Sequence, residues 1–192
     1  MLNKKLQKIH EDACMEISKA LAKLTDTQAV VEIINPKIER VTDITLPIGC
    51  DEMVAAVCLP ITGKVKGAAL LVFAQKTAVD LSDLLIKKEL GTTKELDELD
   101  QSALEELGNI VCGNYLTMLS NVTGVKIIEH VPQFSFDIFG QILEQTRTEF
   151  AQKTEKALTI EIEFAFVRLV LRGYFVLIFD TKEFQVILDV LQ

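Results

Sequence analysis

The sequence predicts an α/β fold: one pseudo-twofold domain of two duplicated helix-strand-strand-strand-helix halves that share one mixed sheet, with two motif helices packed on one side. Three observations carry this reading. Leu6, Ile9, Ala13, Ile17, Ala20 and Leu24 form the apolar stripe of a helix, and a 98-residue offset carries them without a gap onto a second stripe, Leu104, Leu107, Val111, Tyr115, Met118 and Val122. An apolar strand from Val65 to Phe73 is matched, at an offset of 106, by one from Leu171 to Phe179, with Lys66-Gly67 falling on Arg172-Gly173, Leu71 on Leu177 and Phe73 on Phe179. Hydrophobic residues make up 49% of the 192, enough for a substantial core.

In chain order, the first helix covers about residues 3–24 and its equivalent starts near Asp100. Cys14 maps onto Cys112 by the same offset. A strand-like run follows each helix, Ala29 to Ile34 and Val125 to Val131, and each meets a proline, Pro36 or Pro132, where ladder pairing is expected to stop. The next strands are Glu52 to Leu59 and Leu158 to Leu169, the latter alternating as TIEIEFAF. A short helix closes each half, Val79 to Leu90 and Thr181 to Leu191, with Asp83 mapping onto Asp189. An insertion in the second half lies within Phe136 to Lys156. Phe136, Phe139, Leu143, Thr146 and Phe150 keep helical spacing there, and it reads as an extra helix or as a strand and loop. Gly91 to Leu99 is polar and acidic, the natural joint between halves of about residues 1–92 and 93–192. Gly67 and Gly173 read as structural, marking close packing or a bulge.

Composition narrows the function. A net charge of −8 and a pI near 4.9 provide no basic patch for a phosphate backbone, so nucleic acid is not an expected partner. The start, MLNKKLQKIHEDACMEISKAL, has no apolar signal core, and the longest apolar run, Ala68 to Ala74, is too short to span a bilayer. A cytoplasmic location without membrane contact is expected. Cys14, Cys50, Cys58 and Cys112 form no CxxC pair and read as reduced core cysteines. His10 and His130 are the only histidines, which leaves no expected metal site or catalytic triad.

The face of the second motif helix opposite its stripe is unusual. Ser102, Glu106, Asn109 and Gly113 line up there, so a hydroxyl, a carboxylate and a carboxamide face solvent together. Gly108, Asn109, Gly113 and Asn114 are poor helix formers, and core packing gives no evident reason for them. For any one of these residues a solvated surface is the ordinary reading. Together, on a helix that repeats once in the chain, they point to function.

The spacing Ser102-x3-Glu106-x2-Asn109-x22-Pro132 resembles the signature of the CheC/CheX/FliY phosphatases of bacterial chemotaxis, written with Asp or Ser first, and ELGNIVCGN is similar to the family's E-x-GN-x-x-x-G run. The length and the two halves resemble CheC, which can carry two copies of the motif. The first copy is degenerate here: Ser102 maps to Lys4, Glu106 to Lys8 and Asn109 to Glu11, and Pro36 falls two residues late. One working site per chain is expected.

The resemblance implies a phosphatase whose substrate is a phosphorylated CheY-like response regulator. It implies no cofactor in this chain, with Mg2+ held by the regulator. Asn109 then suits the positioning of the attacking water, because a carboxamide both accepts and donates without carrying charge. Glu106 pairs with the lysine beside the phosphoaspartate, Ser102 and Gly113 let the partner approach closely, and Asn114 adds a rim hydrogen bond. Two other readings stay open. One is a non-catalytic module docking a response regulator, the deamidase CheD or a flagellar switch component; the other is a structural homodimer. The chain is expected to be a monomer or a homodimer.

Overall fold

In the computed structural model, which describes residues 4–150 and 156–179 together with Gln185 and Ile187, Leu70 pairs with Val176, its own counterpart under the 106-residue offset. A pseudo-twofold axis therefore passes between strands β3 (Gly67–Ala74) and β7 (Leu169–Phe179). Outside them, β2 (Met53–Gly63) forms a hairpin with β3, and β6 (Lys156–Phe166) forms one with β7. The edges are exchanged between halves: β1 (Ala29–Arg40) pairs with β6, while β4 (Ile127–Glu129) and β5 (Gln133–Ile138) both pair with β2. The resulting seven-stranded sheet has the order β1-β6-β7-β3-β2-β4, with β5 also on β2.

The α/β architecture and its pseudo-symmetry match the sequence expectation, but every pairing among the described residues is antiparallel, and the sheet is not mixed. Hairpins join neighbours inside each half, and a twofold axis through the sheet runs equivalent strands in opposite directions. The expected stop holds at Pro132, before which β4 ends, but not at Pro36. β1 continues past Pro36 through an irregularity between Ile34 and Lys37, with Asn35 at φ 49°, and Pro132 lies in the gap between β4 and β5. Both sit on sheet edges, where a missing donor is tolerated. The insertion resolves into β5 followed by a helix, α4 (Phe139–Phe150). Of the expected closing helix at Thr181 to Leu191, Gln185 and Ile187 are described and helical, with Ile187 buried in the core, while the rest, Asp189 included, lies outside the described residues.

Helices α1 (Lys4–Thr25), α2 (Gln75–Leu85) and α3 (Glu98–Thr123) cover one face of the sheet, and α1 packs against α3. Leu6, Ile9, Ala13 and Ile17 of one motif helix and Leu104, Leu107, Val111 and Tyr115 of the other are buried in a common core, while Ala20, Leu24, Met118 and Val122 toward the helix ends are half-buried. The opposite face is covered by α4 and the segment from Val41 to Ile48, with Phe139, Ile142 and Ile44 packed on Val54, Val72, Val176 and Ile178. Because β3 is buried on both faces, it reads as an uninterrupted apolar run. Gly67 and Gly173 are structural for two different reasons. A Cβ at Gly67 would come within 1.9 Å of the Ile178 carbonyl oxygen, and one at Gly173 within 2.3 Å of the Phe73 ring.

Where α1 meets α3, His10 and the Tyr115 hydroxyl share a buried hydrogen bond of 3.1 Å, and the Tyr115 ring lies 5.0 Å from that of Phe175. Burial depresses the His10 pKa from 6.5 to about 4. The folded state thus binds fewer protons at this site than the unfolded state between those values. The contribution is fully present above pH 6.5 and is lost as pH falls toward 4. Lowering the pH from 7 to 5 is expected to remove about 2 kcal/mol of unfolding free energy through this residue. Urea titrations of the wild type and His10→Gln at both pH values check it, because the variant should lose that part of the pH dependence.

Candidate functional site

The motif helix is fixed at both ends before its exposed face is considered. Asp97 caps α3 by accepting from the backbone N–H groups of Leu99 and Asp100, and Asp100 accepts from the Asp97 N–H in return, a capping box that satisfies donors with no intrahelical partner. Gly124 closes the other end at φ 69°, donating to the Ser120 carbonyl. The first turn is also tied to the end of α2. Asp100, 1% exposed, accepts from Ser82 Oγ at 2.6 Å and from Lys88 Nζ at 3.1 Å. Burial opposes its charge, but those bonds, the Asp97 N–H and the Lys88 charge hold its carboxyl below the usual range. Asp83, fully buried, accepts from the N–H groups of Gly91, Thr92 and Thr93, so the joint between halves is pinned to the helices it connects.

From this rigid mount, Ser102, Glu106 and Asn109 are exposed on one face of α3, while Leu107 and Val111 on the other are 0% exposed. None of the three polar side chains has a hydrogen-bond or ion-pair partner among the described residues. Each is solvated and available to a partner molecule.

The other poor helix formers have local explanations, which corrects the expectation that packing does not ask for them. Gly108 is buried against β2: a Cβ there would approach Val57 Cγ1 to 2.5 Å. Gly113 is half-buried, and a Cβ there would come within 2.9 Å of Glu129 Oε1. The space beside it is taken by this chain's own carboxylate and is not left open for a partner. Asn114 is half-buried and donates from Nδ2 to the Ile110 carbonyl at 2.7 Å, leaving its Oδ1 for a rim contact. Asn109 alone of the four has no packing or hydrogen-bonding role among the described residues.

Two residues on this surface escaped the sequence reading. Leu99, 60% exposed, lies one turn before Ser102 on the same face, a position that helical spacing alone could have shown. Glu129 reaches the helix from β4, a contact without a local sequence signal. The four cysteines are free; burial pushes the Cys14 and Cys58 thiols up to about 11 and that of Cys112 well above the usual thiol value, although Cys50 is exposed and not a core residue.

On α1, the counterpart positions Lys4, Lys8 and Glu11 are also exposed, and Gln7 donates to Glu11 at 2.9 Å. A cation, a cation and an anion replace a hydroxyl, an anion and an amide. Neither Lys8 nor Glu11 offers the chemistry of its counterpart, so replacing both by alanine is expected to leave any reaction that the α3 face supports within about twofold of wild type. Steady-state rates of the double variant check this.

Residues 99–135 match the model of the CheC-like family. Over 115 residues the chain is 31% identical to the CheY-P phosphatase CheC of Bacillus subtilis, a stretch that covers 59% of this chain and 55% of that protein, so the match spans about half the length of that relative. The fold is shared with FliY of Thermotoga maritima, at 19% identity and a TM-score of 0.72 over 96% of this chain and 92% of that one. It is shared also with the Borrelia burgdorferi CheX-CheY-BeF3-Mg+2 complex, at 17% identity and a TM-score of 0.55 over 88% of this chain and 97% of that one. No helix among the described residues is long and apolar enough to cross a membrane.

Proposed function

We propose that this chain, similar to the CheC-like family over residues 99–135 and to a CheY-P phosphatase over 115 residues, hydrolyses the aspartyl phosphate of a CheY-like response regulator, in chemotaxis or another two-component pathway of the cytoplasm. The observation that carries this reading is the set of exposed side chains Ser102, Glu106 and Asn109, without partners among the described residues, on one face of a helix whose opposite face buries Leu104, Leu107, Val111 and Tyr115. An acyl phosphate is already reactive, and phosphoryl transfer needs chiefly an in-line nucleophile and charge compensation. The regulator brings the charge compensation, including its Mg2+. This chain contributes a water held by the Asn109 carboxamide, while Glu106 pairs with the lysine beside the phosphoaspartate and fixes the register. Ser102, small and exposed, admits the regulator surface close to α3.

The test is to add this protein, at a small fraction of the regulator concentration, to phosphorylated CheY of Bacillus subtilis and time the loss of aspartyl phosphate. Many turnovers per molecule are expected. A rate equal to spontaneous decay would contradict the phosphatase reading.

A second reading, a docking module for a response regulator, for CheD or for a flagellar switch component, is favoured by the replaced side chains at Lys4, Lys8 and Glu11. It predicts stoichiometric binding without acceleration in the same experiment.

A further inference from the structure

Glu129 projects from β4 onto the exposed face of α3. Its Oε1 lies where a side chain at residue 113 would go, 2.9 Å from a Cβ built there. Gly113 is one helical turn beyond Asn109 and seven residues beyond Glu106, about 10 Å along the axis from Glu106 at 1.5 Å per residue. A glycine in a helix interior costs about 1 kcal/mol relative to alanine, and here that cost keeps a place for the carboxylate. The carboxylate gains nothing within the chain in return: it has no hydrogen-bond or ion-pair partner among the described residues. Glu129 is exposed, and partial desolvation against the helix raises its pKa. An acidic side chain held in this way against the site helix is poised for a cation from outside.

We infer that Glu129 is a second docking carboxylate, which meets a cationic side chain of the regulator about 10 Å from the one that Glu106 meets and so helps to select which regulator is accepted. This rests on the reading of the α3 face as the regulator's docking site. A pair at the rim of an interface acts mainly on encounter and affinity, so the effect belongs in KM and not in kcat.

The experiment uses Bacillus subtilis CheY in two forms, phosphorylated for kinetics and loaded with beryllofluoride and Mg2+ for binding. Glu129→Gln is expected to raise KM about threefold to fivefold with kcat within about twofold, and the difference should shrink at about 1 M salt. Glu129→Lys should raise KM further. Gly113→Ala, which displaces the carboxylate without removing it, should raise KM in the wild-type background and add nothing to Glu129→Ala, because both changes remove one interaction. Unchanged KM in Glu129→Gln and Glu129→Lys, with Asn109→Ala still impaired, would overturn the assignment, as would additive effects of Gly113→Ala and Glu129→Ala. If the wild type binds the beryllofluoride form without turning over the phosphorylated one, weaker binding by Glu129→Gln would uphold Glu129 while the phosphatase reading fails.

Discussion

Replacing Asn109 by alanine is expected to slow regulator dephosphorylation by roughly a hundredfold or more, about 2.7 kcal/mol of barrier at 1.36 kcal/mol per decade. The magnitude follows from the role: a water that is no longer oriented must find its in-line position by chance, and that entropy cost falls on the chemical step. Stability should stay within about 0.5 kcal/mol, because an exposed asparagine without a partner among the described residues gives way to a better helix former. Affinity for the regulator should largely persist. Glu106→Ala is the informative contrast, since loss of the docking ion pair should weaken binding and rate together. Single-turnover kinetics beside an equilibrium titration separate the two. Near-normal turnover in Asn109→Ala would reject Asn109 as the water-positioning residue, and equal loss of binding and rate would favour the docking module.

The largest loss of stability is expected from Leu107→Ala. Leu107 is fully buried in the core between the three helices and the sheet, and its neighbour Gly108 already sits against Val57. A helix seated that closely on a strand has little freedom to settle into the cavity the leucine leaves. The cost should be about 3 kcal/mol, within the range for buried leucine truncations. Val111→Ala removes fewer atoms from the same core and should cost less. Because both changes lie on the face away from the site, the rate per folded molecule should be retained. Urea titration gives the first quantity and turnover normalised to the folded fraction gives the second. A Leu107→Ala protein as stable as the wild type would mean that α3 does not bury this face.

The helices α1 and α3 were legible because their apolar stripes have the period of the structure itself, and the 98-residue offset between them let one corroborate the other. The end of α3 and the exposure of Ser102, Glu106 and Asn109 follow from the same phase. The bounds of α2 were less accessible. It runs Gln75–Leu85, not Val79 to Leu90, and Ala74 at its start makes no side-chain cap that a sequence could advertise. Both prolines were read as stops because a missing donor ends a ladder; that holds at Pro132, where β4 gives way to β5, but at Pro36 an edge-strand irregularity absorbs the missing donor and β1 continues. Gly108, Gly113 and Glu129 share a further limit: their roles depend on which strand passes beneath or beside α3, and that is set by pairing across the pseudo-twofold, far away in sequence.

In the proposed complex the exposed face of α3 brings Asn109 to the phosphorylated site of a regulator. A crystal structure of this protein with a CheY-like regulator bearing beryllofluoride and Mg2+ tests it most directly. The Glu106 carboxylate is expected against the lysine beside the modified aspartate, and the Asn109 carboxamide within about 3 Å of a water aligned with the bond that breaks in the phosphorylated form. A complex in which the regulator is held on another surface, with Asn109 still facing bulk solvent, would contradict it.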